Sequence, residues 1–174
     1  REILASPAGE WRVEDRAQGS PPAKVRVLVE DRRLRGAETL GGGTGRGWEG
    51  AVLAALGQAS PASARVLYLG GGSGTLVRLL EAALPGSEAH VVERSPALVE
   101  LARRHFTAWD GWESVRLSFG DPLSVLPTLD GPFPVVLVDV QALPLLGSLP
   151  FLGERDWESL KEAAGPGGVV VLGG

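Results

Sequence analysis

The chain has 174 residues, of which 44% are hydrophobic and 22% charged, and this suits one compact domain with a small appendage. It has no cysteine, which excludes disulfides, a thiolate zinc site and a cysteine nucleophile, and its two histidines disfavour a histidine-based metal centre. The formal net charge of −4 argues against nucleic-acid binding through bulk charge. No stretch reaches about 18 apolar residues and no charged-then-apolar leader opens the chain, so we expect a cytoplasmic protein without a membrane span.

Residues 1–47 are predicted to form a small N-terminal segment of strands and loop, and residues 48–174 the main domain. Apolar and polar side chains alternate at residues 11–14 and 25–29, as they do in half-buried strands. Asp31 begins a turn, so the second strand is expected to fold back as a β-hairpin. Three arginines could bind an anion, but we expect them on the solvated face of this hairpin: Arg32, Arg33 and Arg35.

In the main domain, short apolar strands alternate with amphipathic helices. Five strands are predicted at residues 66–69, 89–92, 115–119, 135–138 and 169–172. Helices are predicted at residues 48–56, 75–84, 96–106 and 154–164. Ser95 and Pro96 have the chemistry of a helix N-cap and first helical residue. This alternation predicts an α/β fold with a doubly wound parallel sheet in the strand order 3-2-1-4-5.

The first of these strands leads directly into a glycine-rich turn, which opens the next helix. Its residues are Gly70, Gly71, Gly72, Ser73 and Gly74. Glycines here let the backbone approach a ligand, and the helix N-terminus supplies free N–H groups. A turn without a ligand is the alternative, but Glu93 at the end of the second strand favours ligand binding.

The spacing of the glycines distinguishes between ligands. A nicotinamide fingerprint would place a third glycine at position 75, which is Thr75, and a phosphate-binding loop would need a lysine, which this turn lacks. The spacing Gly70-x-Gly72-x-Gly74 instead resembles motif I of class I S-adenosylmethionine-dependent transferases, whose Rossmann-like domain has the predicted architecture.

Two further segments are similar to the same superfamily. Glu93 matches the acid that binds the ribose hydroxyls, a task that suits a carboxylate because it can accept two hydrogen bonds from a diol. Asp121 matches an acid near the adenine amino group. The structural alternatives are a solvated acid for Glu93 and a helix N-cap for Asp121. The resemblance implies S-adenosylmethionine (SAM) or its decarboxylated form as cofactor, held by Gly70, Gly71, Gly72, Ser73, Gly74, Glu93, Arg94, Asp121 and Pro122.

Within that superfamily the chain resembles the spermidine synthase (aminopropyltransferase) family. The Gly-Gly-Gly motif, the helix after Glu93 and the preceding β-hairpin carry this likeness. The family's signature after strand four is Asp-Ser-Ser-Asp-Pro; here Asp139 keeps the first acid and Ala142 replaces the second. The resemblance implies Asp139 as the catalytic residue that orients or deprotonates the acceptor, with a structural strand-end cap as the alternative. It also implies three acceptor contacts: Trp48, Glu49 and Gln141.

The resemblance therefore implies transfer of a methyl or aminopropyl group from a sulfonium cofactor to a small-molecule acceptor. The missing second acid leaves open a catalytically inactive homologue that binds a nucleoside or only dimerises. Because the family tends to be dimeric, a homodimer is expected. The fold normally continues past strand five with an antiparallel hairpin, which this chain lacks. We therefore expect either a fragment or a second subunit that covers the edge of strand five.

Overall fold

The structure is a computed structural model that describes most of the chain. The described residues are 2–6, 9–18, 22–31, 33–40, 52, 54, 57, 65–107, 115–143, 145–146, 149–150 and 152–173. Trp48, Glu49 and most of the helix predicted over residues 48–56 lie outside them. Of that helix, residues 52 and 54 are described and helical, and Val52 is fully buried.

The N-terminal segment is a four-stranded antiparallel sheet whose strands follow one another in sequence order. Its strands are β1 (Glu2–Ser6), β2 (Gly9–Gln18), β3 (Ala23–Glu30) and β4 (Arg33–Thr39). The predicted hairpin is confirmed as β3 and β4, which pair from Glu30 and Arg33 onward. β1 was not predicted, because its short sequence has no alternation and it becomes a strand by pairing with β2.

The second sheet has five parallel strands in the order β7-β6-β5-β8-β11. These are β5 (Arg65–Leu69), β6 (Glu88–Glu93), β7 (Val115–Phe119), β8 (Val135–Asp139) and β11 (Val169–Gly173). Numbered by their appearance, they confirm the predicted order 3-2-1-4-5. The two-residue strands β9 (Leu145–Leu146) and β10 (Leu149–Pro150) pair separately.

Four described helices connect the strands of the parallel sheet. They are α1 (Thr75–Ala83), α2 (Pro96–His105), α3 (Pro122–Val125) and α4 (Glu154–Ala164). As predicted, Ser95 caps α2 by accepting a hydrogen bond from Leu98 N, and Pro96 is the first helical residue. No helix among the described residues is long and apolar enough to cross a membrane.

Both faces of the parallel sheet are buried at its central strands β5 and β8, and the side chains of β5 alternate between two cores. Val66 and Tyr68 belong to the core that contains α1 residues such as Leu80. Leu67 and Leu69 belong to the core that contains residues of α4. This arrangement makes the sheet doubly wound and leaves the carboxyl ends of its strands as the open edge.

The N-terminal sheet docks on α2 and on α1. Trp11 and Leu28 share a buried core with α2 residues such as Leu98 and Leu101. Arg26 Nη1 donates a hydrogen bond to the carbonyl oxygen of His105 at 2.8 Å. These contacts bring β2, β3 and β4 to the carboxyl edge of the parallel sheet.

The prediction that Arg35 lies on a solvated hairpin face is wrong. Its side chain is only 5% exposed, because β4 turns this position toward the parallel sheet. Ala37, two residues further along the strand and therefore on the same face, is also buried. Residue 32 and the side chain of Arg33 are outside the described part of the chain.

Candidate functional site

The ends of three neighbouring strands bring the predicted site residues together. β5 ends at the glycine-rich turn, β6 ends at Glu93 and β8 ends at Asp139. Because all three strands are parallel and adjacent, their carboxyl ends meet at the sheet edge where open α/β sheets bind ligands.

The glycine-rich turn adopts backbone conformations that favour glycine. Gly70, Gly72 and Gly74, the three positions of the motif spacing, have φ values of +98°, +51° and +77°. At Gly70, a β-carbon would lie 2.6 Å from Ala142 Cβ and 2.9 Å from Asp139 Cβ. Glycine at this position therefore allows the turn to pack directly against the end of β8.

Glu93 is a buried acid held beside this turn. It is 3% exposed, so the alternative of a solvated strand-end acid is wrong. Its Oε2 accepts a hydrogen bond from Gly72 N at 3.2 Å, and its Oε1 accepts one from Ser95 N at 3.0 Å. Each carboxylate oxygen can accept a second hydrogen bond, so this fixed group retains capacity for a ligand diol.

Arg94 links the ends of three strands. Its Nη2 donates to Asp121 Oδ2 at 2.7 Å and to the carbonyl oxygen of Ala142 at 3.2 Å. Asp121 also caps α3, because its Oδ1 accepts from Ser124 N at 3.2 Å, and buried Pro122 is the first residue of that helix. The cap considered as the alternative role for Asp121 is therefore present.

Asp139 takes part in a charge cluster, which we define as buried Arg35 and Asp139 together with partly exposed Glu30. Asp139 is 4% exposed, and its Oδ1 accepts from Gln141 N at 2.8 Å, as a strand-end cap does. Its Oδ2 lies 3.9 Å from Arg35 Nη1. Arg35 Nε lies 3.3 Å from Glu30 Oε2.

A cavity of about 340 Å³ lies between the N-terminal sheet and the ends of the parallel strands, within the size range of small-molecule sites. It is lined by Trp11, Glu30, Arg35, Glu93, Arg94, Ser95, Pro96, Gln141 and Ala142. Of the predicted site residues, Glu93, Arg94 and Gln141 therefore face this cavity. The glycine-rich turn adjoins its wall through the contact of Gly72 with Glu93.

Three lining residues, Trp11, Glu30 and Arg35, come from the N-terminal sheet and were not among the predicted site residues. Sequence contains one signal for Arg35, since it shares a strand face with the small apolar residue Ala37. That pattern alone does not tell which face of a hairpin is buried, so the signal becomes informative only with the docking of the sheet.

No protein-family model and no curated protein matches the sequence. The chain is similar in structure to a probable spermidine synthase from Corynebacterium glutamicum, with a TM-score of 0.79 and 19% identity over 98% of this chain and 62% of that one. It is also similar to human methyltransferase-like protein 13 in complex with SAH, with a TM-score of 0.59 and 22% identity over 70% of this chain and 62% of that protein. A spermidine synthase in complex with the transition-state analogue AdoDATO gives a TM-score of 0.57 and 15% identity over 79% of this chain and 46% of that one.

These likenesses confirm the predicted fold. The chain has the class I fold shared by SAM-dependent methyltransferases and spermidine synthases. It spans 62% of the length of the probable spermidine synthase.

Proposed function

We propose that this chain binds an S-adenosyl sulfonium cofactor and transfers its methyl or aminopropyl group to a small-molecule acceptor. The proposal is carried by the position of Glu93. This carboxylate has little contact with bulk solvent, accepts hydrogen bonds from two backbone N–H groups and lines the cavity beside the glycine-rich turn. In this site Glu93 would accept hydrogen bonds from the ribose hydroxyls. Gly70 to Gly74 would let the nucleoside approach the backbone, as the resemblance implies.

The charge around the cavity favours a cationic cofactor. Glu30 and Glu93 line it together with Arg35 and Arg94. Asp139 Oδ2 lies 3.9 Å from Arg35 and Asp121 Oδ2 lies 2.7 Å from Arg94, so four carboxylates accompany two guanidinium groups. The net charge of these groups is negative, and the buried carboxylates of Glu93 and Asp139 attract a sulfonium more strongly than exposed carboxylates would. The cofactor supplies the electrophilic carbon when bound, and the contribution of the chain is to hold donor and acceptor in line.

Asp139 is the proposed group for the acceptor. It lies at the carboxyl end of β8, and Gln141 beside it faces the cavity. A carboxylate there can orient an acceptor nucleophile and receive its proton as the new bond to carbon forms and the sulfonium becomes a thioether. Arg94 and Asp121 are proposed to border the base of the nucleoside, and Trp48 and Glu49 to contact the acceptor.

A catalytically silent nucleoside-binding homologue is the second candidate. It is favoured by the contacts of Asp139, whose Oδ1 accepts from Gln141 N and whose Oδ2 faces Arg35. Mass spectrometry after incubation with SAM or decarboxylated SAM and a mixture of small-molecule acceptors separates the two candidates. S-adenosylhomocysteine as product would indicate methyl transfer, methylthioadenosine would indicate aminopropyl transfer, and binding without either product would favour the silent homologue.

Calorimetry with methylthioadenosine tests the nucleoside site directly. We expect Glu93→Gln to weaken binding by about 10- to 100-fold, because it removes the charge from the acceptor of two hydrogen bonds. The control is Glu88→Gln at the other end of β6, where the side chain is 54% exposed and far from the turn. Absence of methylthioadenosine binding by the unmodified chain, or an equal loss in both variants, would overturn the proposal.

A further inference from the structure

We infer that the charge cluster of Glu30, Arg35 and Asp139 recognises the α-amino-acid end of intact SAM, with Arg35 binding the carboxylate. The inference rests on the proposed function and extends it, because it names the form of the cofactor. Decarboxylated SAM keeps the sulfonium and the ammonium group but has no carboxylate for Arg35 to bind.

The guanidinium group of Arg35 makes fewer hydrogen bonds than its burial requires. Its Nε and Nη1 are buried and have no hydrogen-bond partner among the described residues, although both are within ion-pair distance of a carboxylate. Buried donors in folded proteins nearly always make a hydrogen bond, so two donors without one on a single guanidinium group require an explanation. A ligand that brings a hydrogen-bond acceptor into the cavity provides one.

A second residue of the same cavity has the same property. Trp11 is 3% exposed and lines the cavity, and its buried Nε1 has no hydrogen-bond partner in the part of the chain that the structure describes. Trp11 and Arg35 lie on different strands, so the two unpaired groups arise independently and meet at one cavity. Their shared chemistry indicates a ligand rich in acceptor oxygens at this wall, and a carboxylate matches the planar fork of a guanidinium.

The flanking acids specify the ligand further. An isolated arginine would suit any anion, but Glu30 Oε2 lies 3.3 Å from Arg35 Nε and Asp139 Oδ2 lies 3.9 Å from Arg35 Nη1. Positive and negative groups side by side complement a carboxylate and an ammonium group on one carbon atom. A diamine would place a cation against Arg35, and a simple anion would face two carboxylates, so both are disfavoured.

The cluster is also placed where one molecule can reach it from the nucleoside site. Arg35 and Glu93 line the same cavity. The backbone of Arg35 approaches the glycine-rich turn so closely that a β-carbon at Gly72 would lie 2.9 Å from the Arg35 carbonyl oxygen. A ligand whose ribose is held by Glu93 can therefore extend its sulfonium side chain toward Arg35.

Calorimetry on the unmodified chain with SAM, decarboxylated SAM and methylthioadenosine is the primary test. SAM is expected to bind about 10- to 100-fold more tightly than decarboxylated SAM, because this ratio of dissociation constants corresponds to one charge-assisted hydrogen-bonded contact with a carboxylate. Equal or tighter binding of decarboxylated SAM, with methylthioadenosine still bound, would overturn this inference and leave the proposed function intact. If none of the three binds, the proposed function is wrong and this inference fails with it.

Arg35→Gln provides the second arm, and Arg26→Gln is its matched control. Arg26 also joins the N-terminal sheet to the rest of the chain, through the carbonyl oxygen of His105, but it does not line the cavity. Arg35→Gln is expected to remove the preference for SAM over decarboxylated SAM, whereas Arg26→Gln should keep it. A preference that survives Arg35→Gln would refute the assignment, and if that variant does not fold, the ratio measured on the unmodified chain decides alone.

Discussion

Replacing Gly70 by alanine is expected to destabilise the protein much more than the same replacement at Gly86. Both glycines have positive φ, +98° and +83°, so both substitutions introduce backbone strain. At Gly86 the new β-carbon would have nothing within 4 Å. At Gly70 it would lie 2.6 Å from Ala142 Cβ and 2.9 Å from Asp139 Cβ, and these atoms, attached to the backbone, cannot rotate away.

The loss in free energy of unfolding has two parts, backbone strain at both glycines and crowding of the new β-carbon at Gly70. A left-handed backbone at alanine destabilises the folded state by about 1–2 kcal/mol. Alanine also lowers the conformational entropy of the unfolded chain, which offsets about 0.4–1 kcal/mol of this loss. Gly86→Ala should therefore lower the free energy of unfolding by about 1 kcal/mol. Crowding at Gly70 adds about 1–3 kcal/mol, for a total of about 2–4 kcal/mol.

Urea unfolding of the two variants and the unmodified chain measures this difference. The midpoint should decrease for both variants and the m-value should stay constant, because the surface exposed on unfolding is unchanged. Gly70→Ala should also weaken binding of methylthioadenosine, since the clash displaces the turn or the end of β8. If Gly70→Ala and Gly86→Ala unfold at the same urea concentration, the close packing of the turn against β8 is refuted.

Two further predictions concern α2 and β6. Ser95→Ala removes the side chain that caps α2 and should lower the free energy of unfolding in urea by about 1 kcal/mol. Ser159→Ala within α4, where the hydroxyl donates only to the Arg155 carbonyl oxygen, should stay within about 0.5 kcal/mol, and equal losses would contradict the cap. Burial, followed by the charges of Arg116 and Arg65, lowers the pKa of His90 below 6.5, so the unfolded state binds its proton more strongly. Stability should therefore fall as pH decreases below about 6.5, and His90→Gln should reduce this fall; identical pH profiles would refute it.

Much of the fold follows from local pattern in the sequence. Ser95 and Pro96 begin α2 at the predicted residue, and α4 has its predicted bounds, because capping chemistry and helical periodicity act over a few residues. The strand order of the parallel sheet also follows, since crossover connections allow few topologies. The same reasoning placed Glu93 beside the glycine-rich turn, because both lie at the carboxyl ends of adjacent parallel strands.

Sequence by itself thus determined the α/β architecture, the glycine-rich turn and the acid beside it, all of which depend on short-range periodicity and turn chemistry. Only the tertiary structure decided that Trp11, Glu30 and Arg35 complete the cavity. An alternating strand shows that one face is buried but not which one, nor against what. That choice is made when the N-terminal sheet packs on α2, a contact between segments distant in sequence, and it turns Arg35 from an expected solvated residue into a buried cation.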